Sequence, residues 1–75
     1  MLEPTIEERR RCADHAMDAY VDAKRLFTEP DQDKLQDLLA DLMHWCDDRG
    51  VDFSAALRVA SSNYEDECKD PGQRL

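Results

Sequence analysis

Apolar side chains recur at steps of three and four residues in three segments of this chain, and this spacing most constrains its fold. The period matches one face of an α-helix, whereas no segment alternates with the period of two that a half-buried strand requires. The sequence therefore predicts an all-α protein. The three apolar stripes are Ile6, Ala13, Ala16, Met17, Tyr20, Ala23 and Phe27, then Leu35, Leu38, Leu39, Leu42, Met43, Trp45 and Cys46, then Phe53, Ala56, Leu57, Ala60 and Tyr64.

Capping residues give the expected limits of the three helices. Thr5 followed by Glu8 fits a capping box, in which the hydroxyl and the carboxylate each accept a hydrogen bond from the other residue's backbone amide. Gly50 fits the position after a helix end, and Asp52 fits an N-cap. We expect helices near 5–27, 30–49 and 53–68 and a tail at 69–75, with Thr28 to Asp31 as the turn into the second helix. Short connections predict antiparallel neighbours in one domain, 1–75.

So short a chain cannot bury much of its own surface. A domain of 75 residues buries only about 60% of the surface that its unfolded chain exposes. We therefore expect a three-helix antiparallel bundle that a homodimer completes. The side chains expected in the core or the dimer contact are Met17, Tyr20, Leu38, Leu42, Trp45, Phe53, Leu57 and Tyr64.

Two runs of aspartates step by four residues along the first and second helices. On a helix this spacing stacks the carboxylates on one face, where each pair of like charges costs roughly 0.2–0.5 kcal/mol. A metal ion, a basic partner or solvent alone would compensate for the repulsion. The first ladder is Asp14, Asp18 and Asp22, the second is Asp33, Asp37 and Asp41, and Asp48 extends the second helix's acidic face.

The charge balance restricts the partners. A net charge of −8 argues against nonspecific binding to nucleic acid or to an anionic membrane, and favours a basic protein. Neither a transmembrane run nor a signal peptide is expected, so we predict a cytoplasmic protein.

The chain has three cysteines, Cys12, Cys46 and Cys68, which form no C-x-x-C pair and leave an odd thiol in any disulfide scheme. They are interpreted as small buried apolar residues, because each falls at or beside an apolar helical position. An alternative is a zinc site that uses Cys12, His15, His44 and Cys46. His44 and Cys46 point about 200° apart on a helix, however, and zinc needs four convergent ligands.

The second and third helices carry a familiar combination of residues. Leu35-Gln36-Asp37-Leu38-Leu39, Leu42, Gly50-Val51-Asp52, Ala56-Leu57-Arg58, Ala60 and Tyr64-Glu65 follow in order without gaps. Over roughly half the chain, this pattern is similar to the C-terminal part of MazG-like nucleotide pyrophosphohydrolases. It also resembles small helical proteins that phages and mobile elements carry.

The resemblance implies magnesium held by carboxylates in an E-E-x-x-E helix and an E-x-x-D helix. Here the second motif reads Lys34-Leu35-Gln36-Asp37, so Asp37 alone matches. If Asp22 is aligned with the aspartate that usually follows the first motif, the ligand positions of that motif fall on His15, Ala16 and Ala19, which cannot hold magnesium. A different cluster of Asp18, Asp22, Asp37 and Asp41 is the remaining alternative for a metal.

We therefore predict a non-enzymatic interaction protein with no catalytic residue, cofactor or metal site, whose acidic face binds a basic protein surface. The resemblance to phage proteins sharpens this into an inhibitor of the anti-CRISPR type, which occupies a nucleic-acid-handling surface of a host complex. The alternatives are a degenerate MazG-like module that binds nucleotide or magnesium, and a small structural or regulatory subunit.

Overall fold

Three α-helices make up most of the chain. The computed structural model describes residues 5–69, and the helices are α1 (Ile6–Lys24), α2 (Asp31–Arg49) and α3 (Phe53–Lys69). No strand occurs within that range, so the predicted all-α class is confirmed. No helix in the same range is both long and apolar enough to cross a bilayer. The predicted tail lies outside the described residues except for Lys69.

The start of α1 is held by the predicted capping box. The Glu8 amide donates to the Thr5 hydroxyl over 3.1 Å, and the Thr5 amide donates to the Glu8 carboxylate over 3.4 Å. Two amides that the first turn would leave unpaired are thereby satisfied. The prediction of a helix that begins directly after Thr5 is confirmed.

The end of α1 comes three residues earlier than the apolar pattern predicted. Arg25 adopts the left-handed conformation, with φ 58° and ψ 47°. The Leu26 amide then donates to the Val21 carbonyl over 3.0 Å, which is the bond between the first and sixth residues of a Schellman helix end. Phe27 continues the apolar period in sequence but lies beyond this end and is exposed. The predicted extension to residue 27 is therefore wrong, because backbone capping ended the helix first.

The corner between α2 and α3 follows the predicted chemistry. Gly50 has φ +70°, and the Val51 amide donates to the Cys46 carbonyl over 2.9 Å to close α2. The Asp52 carboxylate accepts a hydrogen bond from the Ala55 amide over 3.0 Å, so Asp52 is the N-cap of α3. At the other end of α2, the Lys34 amide donates to the Pro30 carbonyl, and Pro30 therefore stands just before the helix.

The described chain divides into two compact units. The N-terminal unit is Met1–Asp41, the C-terminal unit is Leu42–Leu75, and the boundary falls inside α2. Each unit contains parts of only two helices, and two packed helices cover each other on one side only.

Burial of apolar side chains is correspondingly small. Within residues 5–69, Cys46 is the one buried apolar side chain, with 6% of its surface exposed. Of the predicted core or dimer residues, Met17, Tyr20, Leu38 and Phe53 are half-buried. The exposed fraction is 37% for Leu42, 49% for Trp45, 50% for Leu57 and 67% for Tyr64. These last four side chains are exposed in the single chain, and their burial by a second copy stays a prediction. Cys12 and Cys68 are also exposed, so their predicted burial is wrong.

Gly50 provides a test of the corner between α2 and α3. A Cβ atom at Gly50 would meet no atom within 4 Å, so the cost of Gly50→Ala comes from the left-handed backbone alone. We expect a loss of about 1–2 kcal/mol in unfolding free energy. Gly50→Asn should lose less, because asparagine tolerates this conformation. Denaturant unfolding followed by circular dichroism measures both, and equal losses would contradict the backbone explanation.

Candidate functional site

The aspartates of the first ladder lie on the solvent-exposed side of α1. Asp14, Asp18 and Asp22 are all exposed, and steps of four residues place successive carboxylates about 6 Å apart along the helix axis. Within residues 5–69, none of the three forms an ion pair or a side-chain hydrogen bond. Their mutual repulsion is therefore not relieved by a cation of the described chain.

The three aspartates of the second ladder differ in their exposure and in their contacts. Asp33 and Asp37 are exposed, whereas Asp41 is half-buried. The Asp41 carboxylate accepts a hydrogen bond from the Tyr20 hydroxyl over 2.6 Å and another from the Lys24 ammonium over 2.9 Å. All three side chains belong to the N-terminal unit, where they join α1 to α2. The structure therefore places Asp41 in a structural contact, unlike the other five ladder aspartates.

The electrostatics of this contact favour the protonated forms of both donors. Desolvation is the largest cause that raises the pKa of Tyr20, followed by its hydrogen bond to Asp41 and by the charges of Asp41 and Asp37; the charge of Lys24 opposes them. The pKa of Lys24 is raised chiefly by its hydrogen bond to Asp41 and by the charge of that carboxylate. The charge of Asp37, one turn before Asp41 on α2, adds a smaller contribution to both shifts.

Sequence reasoning identified Tyr20 as an apolar position and did not identify Lys24. The available signal was the spacing of the two residues, since Tyr20 and Lys24 stand one turn apart on α1 and so share a face. Which of the three aspartates of the second ladder would meet them depends on how the two helices pack, and local spacing does not contain that information.

No metal centre is formed in the described part of the chain. No group of three His, Cys, Asp or Glu side chains within it converges as metal ligands would. Of the aspartates in the alternative magnesium cluster, Asp41 already contacts an ammonium group. The zinc alternative required Cys46, which is buried, and Cys12, which is exposed.

Asp48, the last predicted partner-binding residue, lies in the C-terminal unit. Its carboxylate is 3.9 Å from the Arg49 Nε atom, and both side chains are largely exposed. The Arg49 guanidinium also lies over the Trp45 ring, 5.0 Å from its centroid, which is within the range of a cation–π interaction. The basic side chain beside Asp48 therefore covers part of the exposed tryptophan.

A shallow concavity on α3 was not predicted. It has a volume of about 530 Å³ and lies along α3, where Ser54, Leu57, Arg58, Ser61, Ser62 and Glu65 line it. Since all of its lining residues come from one helix, it is an open depression between neighbouring side chains. Enclosed small-molecule sites instead surround most of the ligand's surface.

Titration of Tyr20 tests the contact with Asp41. The sequence has two tyrosines, so Tyr64→Phe leaves Tyr20 as the only source of tyrosinate absorbance. We expect its midpoint above the ordinary value of 10.0, and we expect Asp41→Asn in the same background to return it toward that value. Asp33→Asn removes the same charge from the same helix and should leave the midpoint unchanged. A midpoint at the ordinary value before Asp41 is changed would contradict the contact.

The contact of Asp41 with Tyr20 and Lys24 predicts that the folded chain loses stability at high pH. Both groups bind their protons more tightly in the folded chain, because both pKa values are raised. Their contribution to stability is therefore complete below pH 10.0 and is lost as the pH rises through the raised pKa values of Tyr20 and Lys24.

Comparison with known proteins gives no match. No protein-family model, no curated protein and no solved structure matches the chain. The similarity to MazG-like proteins therefore stays a prediction from the sequence, and the functional argument depends on the surfaces described above.

Proposed function

We propose that this chain is a non-enzymatic binding protein whose acidic surface docks on a basic protein. The observation that carries the proposal is the set of exposed carboxylates in the N-terminal unit that contact no cation of residues 5–69: Asp14, Asp18, Asp22, Asp33 and Asp37. Asp41 contributes by fixing α2 against α1, so that it positions the surface without being free to bind.

Carboxylates at a regular spacing along a helix suit this function, because lysine and arginine side chains are long and can adapt to them. Each exposed ion pair contributes only about 0–1 kcal/mol, so charge alone would not give a tight complex. The summed field speeds association and rejects acidic partners. A net charge of −8 makes the steering long-ranged at low salt and weak at high salt.

A more specific form of the proposal concerns the partner. Lysine and arginine side chains that hold phosphates form the basic surfaces of nucleic-acid-handling proteins. A helix with carboxylates at every turn competes for the same side chains. An inhibitor of such a complex, of the anti-CRISPR type, is the specific function that we propose.

The proposed working form is a cytosolic antiparallel bundle that is completed by a second copy. The support for a second copy is the exposed apolar surface, since Trp45, Leu57 and Tyr64 are each about half exposed or more. The support for the cytosol is the cysteine usage of the sequence, because Cys12, Cys46 and Cys68 leave an odd thiol in any disulfide scheme.

Neutralising the first ladder tests the acidic surface. We expect the triple variant Asp14→Asn, Asp18→Asn and Asp22→Asn to keep its helical content, because the substitutions remove repulsion from an exposed face. It should associate more slowly with a basic protein captured from host extract at low salt, and the dependence of its association rate on ionic strength should be flatter. The association rate is measured by stopped-flow mixing, or with a biosensor that carries the partner on its surface.

The matched control removes three exposed carboxylates that lie off both ladders, with Glu29→Gln, Asp47→Asn and Glu65→Gln. This variant has the same net charge as the ladder variant. If the two variants lose association rate equally, net charge explains the binding and the ladder does not. If neither variant differs from the wild type, the aspartates are only solvated.

We also infer that the chain performs no phosphate chemistry. Asp37 is the one residue that matches the magnesium motif. The support is that, within residues 5–69, no two further His, Cys, Asp or Glu side chains join it in a group that could hold a metal ion. We expect neither pyrophosphate release from nucleoside triphosphates with magnesium nor a rise in melting temperature on magnesium addition. Pyrophosphate release that disappears in Asp37→Asn but persists in Asp33→Asn would establish the MazG-like alternative.

A further inference from the structure

The exposed apolar stripe of α3 is free of acidic side chains. Residues 53–64 contain one base, Arg58, and no acid, and this is the longest acid-free run in residues 5–69. Phe53, Leu57, Ala60 and Tyr64 recur there at steps of four, three and four residues, the spacing of a helix-pairing seam. Only Phe53, in the first turn, is half-buried; Leu57, Ala60 and Tyr64 are exposed. The face that would seat another helix is therefore open over at least two turns.

We propose that this face binds the same face of a second copy, so that two α3 helices pair antiparallel about a two-fold axis near Ala60 and Ser61. Self-association of a chain with net charge −8 is opposed by repulsion between like charges. The acid-free stripe avoids that repulsion at the contact. The proposal does not depend on the acidic surface having a basic partner.

The side-chain sizes along α3 fit a contact of a surface with itself. In this register, Leu57 packs against Tyr64 of the partner copy, and Tyr64 packs against Leu57 of the partner copy. Ala60 and Ser61 lie at the centre, where small side chains let the two helices approach closely. A two-fold contact requires this exchange, because the same patch serves on both subunits.

Charge at the end of the stripe selects the antiparallel direction. Residues 65–67 are Glu-Asp-Glu, and parallel pairing would bring the two acidic runs together. Antiparallel pairing instead places each run beside the first turn of the partner's α3. That end of α3 carries the positive end of the macrodipole, partly offset by the N-cap Asp52, so it repels the acidic run less than a second acidic run would.

The exposed area indicates the strength of the dimer. Leu57 and Tyr64 each leave on the order of 100 Å² exposed, and the small residues between them add less. The seam therefore falls short of the ~800 Å² per partner of a standard stable interface. We expect a dimer that dissociates in the micromolar range.

A pair of charge-matched variants tests the contact. Ala60→Glu places a carboxylate beside the two-fold axis, where it meets its own copy. Ser62→Glu places the same charge about 200° around the helix from position 60. In sedimentation equilibrium across micromolar to submillimolar concentration, we expect the wild type and Ser62→Glu to dimerise alike. Ala60→Glu should weaken dimerisation by more than about tenfold, while circular dichroism shows equal helical content.

Other outcomes would overturn the proposal. A wild type that stays monomeric at every concentration would show that a second copy does not cover this face. If Ala60→Glu and Ser62→Glu weaken the dimer equally, or if neither does, the contact lies elsewhere.

Crosslinking tests the direction. In a Cys12→Ser background, antiparallel pairing separates Cys68 from Cys68 of the partner copy by about 22 Å, so a short thiol crosslinker should not join them. Adding Ser54→Cys should produce a bond between position 54 and Cys68 of the partner copy. These two positions are about 21 Å apart within one helix and cannot be joined inside a chain. Links of position 54 to itself, or of Cys68 to itself, would contradict the antiparallel arrangement.

Discussion

The small amount of apolar burial is the constraint on which the rest of this structure depends. Within residues 5–69, Cys46 is the one buried apolar side chain, although apolar residues make up 41% of the sequence. Isolated helices of this length are marginal in water. Local devices therefore matter more here than in a larger domain: the Thr5–Glu8 capping box, the left-handed residues at the helix ends and the Asp52 cap.

Polar contacts supply part of the specificity that a larger core would provide. Asp41 accepts hydrogen bonds from Tyr20 and Lys24, and these bonds select one placement of α2 against α1 in the N-terminal unit. The same contact assigns different roles to aspartates that are chemically identical. Asp41 is committed to the fold, whereas Asp33 and Asp37 remain at the surface. The acidic surface that we propose would use both roles, because the contact of Asp41 holds the helix that carries Asp33 and Asp37 against α1.

The two proposed surfaces differ in the physical force that would drive binding. The aspartates of the N-terminal unit act at long range and lose strength with salt. The α3 stripe acts through apolar contact, and salt should strengthen rather than weaken it, because salt screens the repulsion between two chains of net charge −8. Salt titration therefore separates binding of a basic partner from self-association, and each can fail without the other.

The sequence by itself determined the all-α class, the start of α1 at Thr5, the end of α2 at Gly50 and the start of α3 after Asp52. These features depend on interactions within a few residues, so their spacing along the chain is sufficient to predict them. The end of α1 was missed because Arg25 adopts a left-handed conformation, which is uncommon for a residue other than glycine. The sequence also indicated the exposed aspartates of α1, because steps of four residues place them on one face.

Only the tertiary structure decided which predicted positions are covered and which aspartate is bound. Leu42, Trp45, Leu57 and Tyr64 follow the helical period as regularly as Leu38 does, yet they remain exposed in the single chain. Periodicity predicts that a face is apolar but not what lies against it. Asp41 differs from Asp33 and Asp37 only through its distance to α1. Packing between helices sets that distance, and the packing depends on contacts between residues that are remote in the sequence.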